Sequence, residues 1–152
     1  MRYRLILLAA CVALAYSAAK GADHSESARM IERYSSEPGA EVTVIRGGDL
    51  TRYGLSEYHS LTLPGVTATT LEAIAGAVKA DLEASTAREV SYRDGRIKYA
   101  FLTLAPTAEG LNRYVIFVCN PAQNGRRRVV LIAIEGKATA RQLQNLIKIT
   151  SK

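Results

Sequence analysis

Glu89-Val90-Ser91-Tyr92-Arg93-Asp94-Gly95-Arg96-Ile97-Lys98-Tyr99-Ala100-Phe101-Leu102-Thr103-Leu104 decides the fold class. Two alternating runs flank Asp94-Gly95, a dipeptide that supplies the positive φ angles a two-residue type I′ turn demands. The reading is an antiparallel hairpin with Arg93 opposite Arg96, Tyr92 opposite Ile97 and Val90 opposite Tyr99. Side chains alternate along a strand. That register gathers Val90, Tyr92, Ile97, Tyr99 and Phe101 on one face and leaves Ser91, Lys98 and Ala100 on the other.

Downstream, a second hairpin is expected between Arg113 and Glu135. Its strands are Arg113–Cys119 and Arg127–Glu135, joined across Asn120 to Gly125. The unbroken apolar run Val129 to Ile134 marks a central strand covered on both faces. Thr139-Ala140-Arg141-Gln142 is a capping box opening a last helix with Leu143, Leu146 and Ile147 as its apolar stripe.

Upstream, Thr69-Thr70-Leu71-Glu72 reads as another capping box. Leu71, Ile74, Ala75, Val78 and Leu82 then form a buried stripe, with Lys79, Asp81 and Glu83 off it. A first helix is expected over Ser25 to Ser35, striped by Ala28, Ile31 and Tyr34, and a first short strand over Glu41 to Arg46. Residues 47–69 are the least legible: Asp49 is placed to cap a single turn, Tyr53-Gly54 to close it, and Tyr58 to Leu63 to form a strand ending before Pro64-Gly65. The expected fold is α+β: an antiparallel meander sheet of about four to six strands with about three helices packed against it.

The chain start reads as a secretory signal peptide over residues 1–19. Arg2 and Arg4 precede an apolar run from Leu5 to Ala15, and Ser17, Ala18 and Ala19 follow as a cleavage site. Leu8-Ala9-Ala10-Cys11 also matches a lipobox, in which Cys11 would be lipidated and become the mature N-terminus. The apolar segment before Cys11 is short, and the chain stays apolar after it, so ordinary cleavage near Ala19 fits better. Residues 20–152 then form a single domain in the periplasm or envelope, with membrane attachment only if Cys11 carries lipid.

Removing Arg2 and Arg4 lowers the net charge from +6 to about +4. That is too little for the dense basic stripe of a nucleic-acid binder. Cys119, in the apolar run Tyr114 to Cys119, is the one remaining cysteine and reads as a small buried hydrophobe. No Cys/His/Asp/Glu cluster has metal-ligand spacing, and Gly47-Gly48-Asp49 lacks the lysine and further glycine of a phosphate cradle, so no cofactor is implied.

His24 follows the cleavage region and is given no role. His59 is the candidate around which a periplasmic enzyme site would assemble, with Ser60 or Cys119 as partners. Paired carboxylates such as Asp81 with Glu83 are expected on solvated helix faces. Arg126, Arg127 and Arg128 are the sharpest charge feature, suited to an anionic surface or to discouraging edge-to-edge association. Tyr53 and Tyr58 complete the candidate contact surface.

Arg96-Ile97-Lys98-Tyr99-Ala100-Phe101-Leu102 and Ile134-Glu135-Gly136-Lys137-Ala138-Thr139-Ala140-Arg141-Gln142-Leu143, with the exported start, resemble small uncharacterised exported proteins of the Bacteroidales that carry a domain of unknown function. There a strand ends in Ile-x-Gly, the glycine letting the chain turn, and a Thr-capped helix with Gln-Leu follows. The resemblance implies no activity and carries over no functional residue. The reading is a non-enzymatic exported binding or scaffolding module, its partner an envelope protein or an anionic surface. The alternatives are the His59 enzyme and a membrane-surface lipoprotein that uses the Arg126–Arg128 loop.

Overall fold

The computed structural model describes residues 25–121 and 125–150. The signal-peptide reading, Cys11 and His24 lie outside the described residues. The elements run α1 (Glu26–Tyr34), β1 (Glu41–Arg46), a 3-10 turn (Gly48–Tyr53), β2 (Leu55–Val66), α2 (Ala68–Ala84), β3 (Ala87–Arg93), β4 (Arg96–Leu104), β5 (Asn112–Pro121), β6 (Arg127–Gly136) and α3 (Ala140–Thr150). All six strands form one antiparallel sheet in the order β1-β2-β6-β5-β4-β3. The meander β3 to β6 is thus completed by a β1–β2 hairpin docked on β6. The α+β expectation holds.

Each sheet face carries its own core. On one face Leu61, Leu131, Phe117 and Leu102 pack under α1 and α2 with Ile31, Ile74 and Val78. On the other Phe101, Tyr114, Ile116 and Ile134 pack under α3 with Leu143. Coverage on both faces is why β6 reads as an unbroken apolar run. Helix α3 starts as expected: Thr139 Oγ1 accepts from Gln142 N–H at 3.2 Å and Gln142 Oε1 accepts from Thr139 N–H at 2.9 Å.

Four expectations need correction. The turn is as expected, with Asp94 at φ 53° and Gly95 at φ 75°. Arg93 opposes Arg96 and Tyr92 opposes Ile97, but a bulge then skips Lys98, so Ser91 opposes Tyr99 and Val90 opposes Ala100. One extra residue reverses the facing of everything beyond it. Val90 and Ile97 join the α1/α2 side, while Tyr99 and Phe101 join the α3 side.

Helix α2 is capped by Thr67, whose Oγ1 accepts from Thr70 N–H at 3.2 Å, and not by Thr69. With threonine at 67, 69 and 70, the backbone begins to coil at the first of them. Strand β2 runs through Pro64-Gly65 to Val66, with a register shift between Leu63 and Val66 that absorbs the proline.

Gly136 also acts differently from the turn expected of it. A Cβ there would lie 2.5 Å from Gly54 O and 2.7 Å from Leu55 Cα. The glycine is needed because β2 enters the sheet against it. Gly54, at φ 72°, closes the 3-10 turn immediately before that contact.

Candidate functional site

On the α1/α2 face the ladder can be followed as rows across the sheet. One row is Val42, Leu61, Leu131 and Phe117, apolar throughout. The next is Val44, His59, Ala133 and Val115. The last is Arg46, Glu57, Glu135 and Arg113, a cation, two carboxylates and a cation side by side. The apolar core therefore stops at His59 and a charged row begins.

Helix α1 packs on α2 and across β2 and β6, while every residue of β1 is exposed among the described residues. The space between α1, β1 and the charged row is a cleft of about 830 Å³, lined by Arg29 and Glu32 from the helix and by Val44, Arg46, Glu57 and His59 from the strands. That is within the range of about 300–1,000 Å³ typical of ligand pockets.

Asp81 sets where α1 sits. It projects from α2, is only 5% exposed, and accepts the backbone N–H groups of Glu26 at 3.1 Å and Ser27 at 2.8 Å. A carboxylate there satisfies first-turn donors and complements the positive end of the helix dipole. Ser25 caps the same end, its Oγ accepting from Ala28 N–H at 3.0 Å. The expectation of a solvated Asp81 is overturned. Its spacing of three from Val78 and seven from Ile74 already places it on the buried stripe.

Inside the cleft, His59 Nε2 lies 3.1 Å from Glu57 Oε2, and Arg46 Nε lies 3.6 Å from Glu57 Oε1. Their side chains are partly exposed: 26% for His59, 36% for Glu57 and 68% for Arg46. Arg113, at the β5 end of the row, donates from Nε to Ala105 O just past β4 at 2.8 Å.

His59 is not brought to either partner expected for it. Ser60 follows it in the strand and so faces the α3 side. Cys119 sits on the right face but pairs with Val129 in the row of Leu63, two rows and two strands away, and is buried. Arg113 and Glu135, the ends of the expected second hairpin, do oppose each other. Arg46 and Glu57 carried no sequence signal of joining them, because the β1–β2 pairing runs through the illegible segment.

The remaining candidates lie elsewhere. Arg126 and Arg128 are exposed and Arg127 half-buried at the start of β6, with Arg126 lying against Gly65. Tyr53 is 41% exposed near the far end of β6, with the Arg52 guanidinium 4.8 Å above its ring centre. Together with Lys137 and Gln142 it borders a shallow concavity of about 550 Å³. Tyr58 is half-buried against the α3-side core. The arginines and Tyr53 are thus separated by the length of a strand and do not form one patch.

No helix among the described residues is long and apolar enough to cross a membrane. No curated protein and no solved structure matches this chain. Residues 12–147 match the family of unknown function DUF6108. That match takes in both core faces, the α1 cleft and the Gly136 contact, and the chain therefore belongs to the DUF6108 family.

Proposed function

We propose that this chain is an exported, non-enzymatic binding module whose ligand occupies the cleft between α1 and the β1–β2 edge. The observation that carries the reading is the charged row, Arg46, Glu57, Glu135 and Arg113, set where the apolar core ends and a cleft of ligand size begins. Two carboxylates lie there between two cations, so the fitting ligand offers both charges: a short peptide with free ends, or a similar zwitterion.

The Arg46–Glu57 pair is long and exposed, and such pairs contribute about 0–1 kcal/mol. A ligand carboxylate on Arg46 and a ligand ammonium on Glu57 replace it at little cost. Each charge-assisted hydrogen bond gained contributes about 1.5–3 kcal/mol. The exported setting is supported by Arg2, Arg4, the apolar run to Ala15 and the small residues to Ala19.

The test is calorimetric titration of short peptides with free ends, alongside the same peptides acetylated and amidated. Free-ended peptides are expected to bind, and blocking both ends is expected to abolish the heat. Equal binding of blocked and free peptides, or none of either, overturns the reading.

A further inference from the structure

The sheet has two edges, and they are built differently. Edge strand β3 carries a bulge against β4 and exposes Arg88, Glu89 and Arg93, features that discourage strand addition. Edge strand β1, Glu41-Val42-Thr43-Val44-Ile45-Arg46, pairs with β2 without a register shift and is exposed at every residue among the described residues. Val42, Val44 and Ile45 are 40%, 51% and 41% exposed, three of the five exposed large hydrophobic residues found among the described residues. Such an edge is a template for another strand.

The strand is its own complement. Gly47 N–H donates to Ser56 O, so odd-numbered residues of β1 turn their backbone groups towards β2. Val42, Val44 and Arg46 therefore turn theirs outwards, and their side chains lie on the α1 side. A two-fold axis through Thr43, perpendicular to the sheet, keeps faces matched and joins two copies antiparallel. Val42 then opposes the partner's Val44, and Val44 opposes the partner's Val42. Thr43 opposes the partner's Thr43, a favourable cross-strand pairing. Glu41 meets the partner's Ile45 and Arg46 meets the partner's Ala40, so no like charges are opposed. Moving the axis to Val44 would set Val42 against the partner's Arg46.

We infer that a second copy of this chain adds to β1 in the Thr43-centred register, making one continuous twelve-stranded sheet. The pairing itself does not depend on ligand binding by the cleft. One consequence does rest on that reading. Both copies carry α1 on the same side, so their two clefts open onto a common trough floored by four valines, and the fitting ligand is an elongated one.

Sedimentation of the protein without ligand, over a concentration series in the micromolar range, is expected to show a reversible shift to twice the monomer mass. Val44→Lys is expected to lose the dimer with its circular dichroism unchanged. Thr43→Cys is expected to give a reducible covalent dimer on mild oxidation. Opposed residues that do not share hydrogen bonds lie about 4.5 Å apart at Cα, within disulfide reach. Thr69→Cys, exposed on α2, is expected to give no more than the parent. A parent that stays monomeric throughout, a Val44→Lys protein that still dimerises, or no enrichment of covalent dimer in Thr43→Cys each overturns the inference. Loss of peptide binding with the dimer intact would count against the cleft alone.

Discussion

Asp81 and Ser27 show how one helix end is fixed and how unequal two buried polar groups can be. Asp81 accepts two backbone N–H groups, whereas the buried Ser27 Oγ has no hydrogen-bond partner among the described residues. Leaving one buried and one part-buried donor unpaired costs more than removing one unpaired hydroxyl. Asp81→Ala should therefore lower stability by about 2–4 kcal/mol in urea unfolding, and Ser27→Ala should be neutral or stabilising by up to about 1 kcal/mol. Equal losses would show that Asp81 does not hold α1. The site was half legible at this scale. His59 was singled out for its chemistry, but its neighbour Glu57 could be paired with it only once two intervening peptide units were known to be strand. Asp81 was legible from spacing, and its charge misdirected the reading.

Tyr114 adds a pH dependence. Its hydroxyl donates to Ala138 O at 2.7 Å, holding the turn before α3. Burial raises its pKa above the ordinary 10.0, with the Asn112 side chain pulling the smaller way. Tyr99 is raised by burial and by the nearby Glu89 carboxylate. A phenol whose pKa is raised on folding contributes its full stability below about pH 10 and loses it as pH climbs through the native value. Melting temperature should fall above pH 10, and Tyr114→Phe should lessen that fall while lowering stability at neutral pH. An unchanged alkaline limb in Tyr114→Phe would contradict this.

Among the elements, the hairpins show what periodicity can and cannot reveal. Asp94-Gly95 specified the turn and the first two pairs, because turn chemistry is local. The bulge at Lys98 was invisible, since no residue type demands it; β4 carries it against β3 and pairs with β5 without a shift. The β1–β2 pairing was hidden for a related reason. Its partner strand contains Pro64 and Gly65, which ordinarily end strands, and begins at a glycine-closed 3-10 turn.

The Gly136 contact belongs to the same scale. Gly136→Ala forces a methyl into the backbone of Gly54 and Leu55, which cannot yield as a side chain would. Overpacking of this kind costs about 1–3 kcal/mol or more. Chemical denaturation should show a loss of at least about 2 kcal/mol, and a loss below half of that would mean β2 tolerates displacement there.

At the scale of the molecule, the sheet separates structure from function. Among the described residues, four central strands and three helices bury the core, and the charged row and the exposed β1 edge lie beside the α1 cleft. The class of fold was legible because both hairpin and capping signals agreed with it. The margin was legible only in half: the second hairpin pairs Arg113 with Glu135, but bringing Arg46 and Glu57 beside them depends on a strand order that no local signal encodes. Export is a prediction at this scale too. Intact mass after expression in a host with a secretory pathway should show a product beginning near Lys20; lipid on Cys11 would make the protein a tethered one, and an uncut chain in the cytoplasm would remove the exported setting.

The most direct test of the binding account is titration of a free-ended peptide into the parent, Arg46→Ala and Glu57→Gln proteins, with folding checked by circular dichroism. The account predicts saturable binding to the parent and a weakening of about 10-fold to 100-fold in each variant, as expected for loss of one charge-assisted hydrogen bond. Binding of equal strength in all three proteins, or none in the parent, would contradict it.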